Sequence, residues 1–190
     1  MNENKRYPRR SKADLLETGL TILAEHGEAA LTIESICAAL DVTKGSFYHH
    51  FGSRREFSRK LLEYWEEDYT RRFIELCDRA GSAADSYCML DAFAEEVVDD
   101  VEVAVRAWAL RDPLAREFQE RIDETRINYL QRLHEDLAGD AAMASVLARL
   151  EYAAFIGSRQ IMPRLNQKQV SAVIDLWTKM LNTFLSGEKT

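Results

Sequence analysis

The sequence predicts an all-α protein of about nine helices: an N-terminal three-helix head with a helix-turn-helix, then a larger C-terminal helical domain. Three observations carry the fold class. Only 8 Gly and 3 Pro punctuate 190 residues. Apolar residues recur at three- and four-residue spacing, not in alternation. The periodic runs also start at capping residues and stop at Gly, Asp-Pro or Gly-Asp breaks. With 46% hydrophobic residues the chain can bury a substantial core, which excludes wholesale disorder.

Ser11-x-x-Asp14 is a capping-box start for the first helix, in which Leu16, Leu20 and Leu23 share a face. Gly27 is expected to stop it in the left-handed conformation. Gly19, within that helix, costs about 1 kcal/mol relative to Ala, so close packing is expected there. Thr32 caps the second helix, whose inward face is Ile33, Ile36, Cys37 and Leu40. Asp41 occupies the following turn, as a residue that tolerates positive φ. Thr43 caps a short third helix with Phe47 and Phe51 pointing inward. Ser53-Arg-Arg-Glu56 reads as a full capping box that launches a long helix to about residue 79.

After Ala80-Gly-Ser-Ala-Ala-Asp-Ser86, helices are expected near 84–100, 102–111, 113–138, 140–160 and 167–186. Met143, Val146, Leu147, Leu150, Ala153, Ala154 and Gly157 stripe the penultimate helix. Val170, Val173, Ile174, Trp177, Met180, Leu181 and Phe184 stripe the last. Two such hairpins paired across a two-fold axis would make a four-helix dimer interface, close-packed at the small residues.

Two short helices joined by a tight turn make a helix-turn-helix, and the second has the dimensions of a helix that enters the DNA major groove. With both phenylalanines facing the core, its other side presents Lys44, Ser46, Tyr48, His49 and His50, donors for phosphate oxygens or base edges. Arg54 and Arg55 add charge and backbone N–H groups at the start of the next helix. His49 and His50 are adjacent, so they diverge by roughly 100° on a helix and make a poor metal pair.

Leu31-Thr32, Ile36, Leu40-Asp41-Val42, Gly45-Ser46-Phe47-Tyr48, His50-Phe51 and Ser53-Arg54 together resemble the TetR family of one-component transcriptional repressors. The resemblance covers about the first 60 residues. It implies a DNA-binding domain over 1–55, with Tyr48, His50 and Arg54 on phosphates and Lys44, Ser46 and His49 nearest the bases; Thr32 completes the expected DNA-binding set. It also implies an effector-binding and dimerisation domain over 56–190, closed into a homodimer by the last two helices. Asp41 stands where Gly is common in the family, Arg55 where an acid is common, and Phe47 where Leu is more usual. The partners implied are double-stranded operator DNA and a small-molecule effector, with no cofactor.

Charge fits that division. Residues 1–60 hold 10 Lys+Arg against 8 Asp+Glu, net +2, while 61–190 hold 15 against 24, net −9. A basic arm ahead of an acidic body suits a polyanion touched at one end only. Cys37, Cys77 and Cys88 form no disulfide framework, and all three are expected to be packed. No apolar run approaches the roughly 20 residues of a membrane span, and a cytoplasmic protein is expected. For the effector pocket, Tyr87, Trp108 and Tyr129 stand out as polar-tipped aromatics inside apolar runs. His134 is expected at a helix end, on backbone carbonyls. The rival readings are a helical ligand-binding or interaction protein without DNA-directed regulation, or a weak enzyme. The chain contains no Glu-x-x-His pair, P-loop or dinucleotide fingerprint to favour an enzyme.

Overall fold

The computed structural model describes residues 10–96 and 100–187, all helices and connections. The helices are α1 (Lys12–His26), α2 (Ile33–Leu40), α3 (Lys44–Phe51), α4 (Arg54–Glu66), α5 (Arg72–Asp78), α6 (Ala83–Glu96), α7 (Asp100–Ala109), α8 (Pro113–Ala138), α9 (Ala141–Gln160) and α10 (Gln167–Gly187). A π-helical turn, Glu67–Arg71, joins α4 to α5. Counting that continuous run once, the described residues hold nine helices, as the sequence predicts. The basic arm falls mostly in residues 1–9, outside the described residues.

Two compact units emerge: Met1–Asp68 with Asp99–Glu120, and Tyr69–Val98 with Arg121–Thr190. In the first, α1 packs against α2, α4 and α7. Ser11 and Asp14 close the full capping box at its start, the Ser11 hydroxyl accepting from Asp14 N at 3.1 Å and Asp14 accepting from Ser11 N at 2.8 Å. The backbone and hydroxyl of Ser11 hold the Asp14 carboxyl below its ordinary range. At the other end Gly27 has φ 75 and ψ 176. This corrects the expected left-handed stop: the backbone is extended at positive φ, a region open essentially to glycine alone, because the chain turns at once into the short 3₁₀ segment Glu28–Ala30.

Gly19 is close-packed, as its position in the helix suggests. A Cβ there would lie 2.7 Å from Phe57 Cζ and 3.1 Å from Leu61 Cδ1, and both side chains are buried. Gly19→Ala therefore gains about 1 kcal/mol of helix propensity but overpacks a rigid ring, at a cost of about 1–3 kcal/mol. A net loss of about 1 kcal/mol is expected in urea unfolding; a stabilised variant would show that Phe57 can give way.

The second unit is centred on Cys77, Tyr87, Tyr129, Leu133 and Leu181, with Leu130, Ala148 and Tyr152 in an adjoining cluster. Arg126 ties the π turn into it. Its Nε donates to Thr70 Oγ1 at 3.0 Å and its Nη2 to the Tyr69 carbonyl at 3.1 Å. On α9, Tyr152 donates to Asp123 at 2.7 Å. A π turn shifts the helical ladder by one residue, and here the arginine takes up a carbonyl of that segment.

Two packing expectations change. Cys37 and Cys77 are buried but Cys88 is exposed, because Ser86 and Tyr87 take the inward face of α6 and leave Cys88 on the outer one. His134 does not serve helix-end carbonyls. It is 0% exposed, and its Nε2 lies 2.7 Å from Glu151 Oε2 on α9. A long α8, running on past it to Ala138, places it inside the unit rather than at a terminus.

Candidate nucleic-acid interface

The geometry of the helix-turn-helix is set by three local devices. Thr32 and Ser35 form a reciprocal capping box at the start of α2, with Thr32 Oγ1 accepting from Ser35 N and Ser35 Oγ from Thr32 N, both at 3.1 Å. Thr32, expected in the DNA-binding set, thus has its hydroxyl engaged in the cap and is half-buried. Asp41 turns the chain at φ 50, ψ 51, a left-handed conformation that Asp tolerates. Thr43 caps α3, its hydroxyl accepting from Ser46 N at 3.2 Å.

Phe47 and Phe51 then lock the orientation of α3. Phe47 is 0% exposed, and its ring centroid lies 5.2 Å from those of both Phe51 and Phe57; Phe51 and Phe57 meet edge-to-face at 4.9 Å. Such aromatic pairs contribute beyond their buried area. The opposite face is what the sequence suggests: Lys44, Tyr48 and His49 are exposed, Ser46 and His50 half-buried. Tyr48 is 48% exposed, its ring edge-on to Phe47 at 5.7 Å, so a buried ring orients a solvent-facing hydroxyl. Arg54 and Arg55 are exposed at the start of α4.

The α4 cap is only half the expected box. Ser53 Oγ accepts from Glu56 N at 3.1 Å, but Ser53 N donates to the Phe51 carbonyl at 2.7 Å. The tight α3–α4 turn has already used the donor that Glu56 was expected to satisfy.

Two ion pairs on this surface are absent from the sequence reading. Lys44 Nζ is bonded to Glu34 Oε1 on α2, and Arg54 Nη2 to Glu28 Oε1 at 2.9 Å. The hydrogen bond from Lys44 holds the Glu34 carboxyl below its usual range, and Glu34 raises the Lys44 ammonium above its own. Both pairs face solvent. The partners are ten and twenty-six residues apart, beyond any helical spacing rule.

Of the residues expected at the effector, Tyr87 and Tyr129 come together in the core of the second unit, whereas Trp108 is buried in the first, on α7. The Trp177 indole donates to Tyr87 Oη at 2.8 Å. Burial, together with Cys77 and Asp78, pushes the Tyr129 phenol up to about 12. Its hydroxyl lies by Cys77 and Ser86 but makes no hydrogen bond of good geometry there. A separate hollow between α9 and α10 is walled by Phe155, Ile174 and Trp177.

Residues 11–60 match the model of bacterial regulatory proteins of the tetR family. Over this head the chain is similar to the TetR family. It is 26% identical over 125 residues to the HTH-type transcriptional repressor KstR2 of Rhodococcus jostii (66% of this chain, 58% of that protein). It is 37% identical over 57 residues to the repressor DhaR of a Mycobacterium species (30% and 29%). The chain thus spans less than two thirds of the length of either relative. A TetR transcriptional regulator from Legionella pneumophila superposes with TM-score 0.73 at 14% identity, covering 95% of this chain and 99% of that one. The ketosteroid transcriptional regulator KstR2 of Mycobacterium tuberculosis gives 0.65 at 18%, covering 96% and 98%. At these identities the superpositions show a shared all-helical fold and nothing further.

Proposed function

We propose that this chain is a one-component transcriptional regulator, a repressor that binds a near-palindromic operator as a dimer and is released by a small-molecule effector. The observation that carries the reading is the orientation of α3. Two buried phenylalanines on one side leave Lys44, Tyr48 and His49 together on the other, within the segment that matches the family. Residues 1–55 hold the DNA contacts: Tyr48, His50 and Arg54 on phosphates, Lys44, Ser46 and His49 at the bases, and Thr32 at the mouth of α2. Effector binding and dimerisation belong to 56–190. The protein works by binding rather than catalysis, in the cytoplasm with its operator. No helix among the described residues is long and apolar enough to cross a membrane.

Tyr48→Ala is expected to weaken DNA binding by more than about 1 kcal/mol, close to tenfold in affinity. The gel shift is read against dimer mass and thermal melting, which should not change. Unaltered DNA affinity would remove α3 from the interface.

The dimer reading is supported by an apolar face on α9 and α10. Val146, Leu150, Val173, Leu176, Met180 and Phe184 are all exposed, and Gly157 has open space where a Cβ would be. Exposed apolar residues grouped on two neighbouring helices mark an association surface. Light scattering should give about twice the 21.8 kDa chain mass, with Leu150→Glu shifting the protein toward monomer. A monomeric wild type at micromolar concentration would defeat the reading.

For the effector, Tyr87 and Tyr129 are the proposed contacts in the second unit, and Trp108 is a third candidate on α7. An effector that prefers one head spacing shifts the population of dimers competent for DNA, by no more than its difference in affinity for the two states.

A further inference from the structure

Two cations of the proposed DNA surface are already held by carboxylates of the same head. Lys44 reaches across the α2–α3 turn to Glu34, and Arg54 reaches back to Glu28 in the 3₁₀ segment. The acids come from two different elements and engage two different cations. Neither is a capping side chain: Thr32 and Ser35 cap α2, and Ser53 caps α4. All four side chains are 41–66% exposed, so the pairs open at little cost.

We propose that Glu34 and Glu28 compete with the DNA backbone for Lys44 and Arg54 and so withhold charge from non-specific duplex, Glu34 acting as a specificity-determining residue because Lys44, unlike Arg54, is placed at the bases. The inference rests on the DNA-binding reading above. A lysine that meets a phosphate normally releases a condensed cation from the DNA, which is the main source of salt-dependent affinity. Here Lys44 must leave Glu34 to do so. The stranded carboxylate then leaves a negative charge uncompensated beside the backbone, so the DNA keeps a condensed cation there and the release is offset. A site that offers Lys44 a well-placed base edge as well as charge overcomes this competition, whereas phosphates alone do so poorly.

The test is fluorescence anisotropy of the full chain on a random-sequence duplex between about 50 and 200 mM salt. Wild type is compared with Glu34→Gln, Glu28→Gln and the double variant, after thermal melts show each to be folded. Each single variant should bind several-fold tighter at the low-salt end and steepen the plot of log K against log[salt] by about 0.9, the double by about twice that. Glu25→Gln, which loses the same charge from a carboxylate that pairs with His26 rather than with Lys44 or Arg54, is the control and should keep the wild-type slope. Slopes equal to those of wild type or of the control would overturn the proposal. A wild type with no salt-dependent affinity for duplex would instead overturn the DNA-binding reading, and this inference with it.

Discussion

Phe47→Ala should cost about 3–5 kcal/mol of stability, measured as a shift of the urea midpoint at constant slope. The side chain is fully buried and contacts Phe51 and Phe57 at centroid distances of 5.2 Å, so truncation leaves a cavity bounded by two rings. Neither ring collapses easily into it. Phe51 carries Lys12 over its face at 5.6 Å, and Phe57 is pinned against Gly19. A domain stable by about 5–15 kcal/mol is left marginal by such a loss. DNA binding should fail with it, because this cluster holds the inward side of α3 and so fixes its outward side. Phe47→Leu should cost about 1–2 kcal/mol and preserve binding. A loss below about 1 kcal/mol for the alanine variant would mean that α3 is held by something other than its aromatic face.

Glu151→Ala should destabilise the second unit by about 1–3 kcal/mol, the cost of a buried polar group left without a partner. His134 is 0% exposed, and its Nδ1 finds no partner among the described residues, so the 2.7 Å contact of Nε2 with Glu151 is its hydrogen bond. Glu151→Gln keeps an acceptor and should recover part of the loss. His134→Phe combined with Glu151→Leu removes both polar groups and should be less harmful than Glu151→Ala alone. Thermal unfolding of the three variants ranks them; a double variant worse than the alanine single would show that the pair contributes more than mutual satisfaction. The Tyr87 ring, 5.7 Å from His134, makes this pair a neighbour of a proposed effector contact.

Local chemistry was legible in the sequence. Capping at Ser11, Thr32 and Thr43, the left-handed turn at Asp41, the inward phenylalanines and the outward Lys44, Tyr48 and His49 each follow from residues within about one turn of each other. Gly19 also belongs here, since a glycine inside a strong helix implies a neighbour too close for a methyl group. The family resemblance rests on the same short-range pattern.

What had to be corrected depends on partners that are distant in sequence or on competition for one donor. Ser53 N–H went to the preceding turn rather than to Glu56. His134 found Glu151 seventeen residues on, and Cys88 was left outside by the packing of Ser86 and Tyr87. Helix periodicity states which face is apolar but not which helix covers it, so the packing of α7 on α1 and the exposure of much of the α9–α10 stripes do not follow from it. Neighbours along the chain settle the helices, their caps and the face that α3 turns outward. That Glu34 and Glu28 hold Lys44 and Arg54 emerges with the fold, because an ion pair forms wherever folding brings opposite charges within reach, and sequence separation carries no record of that distance.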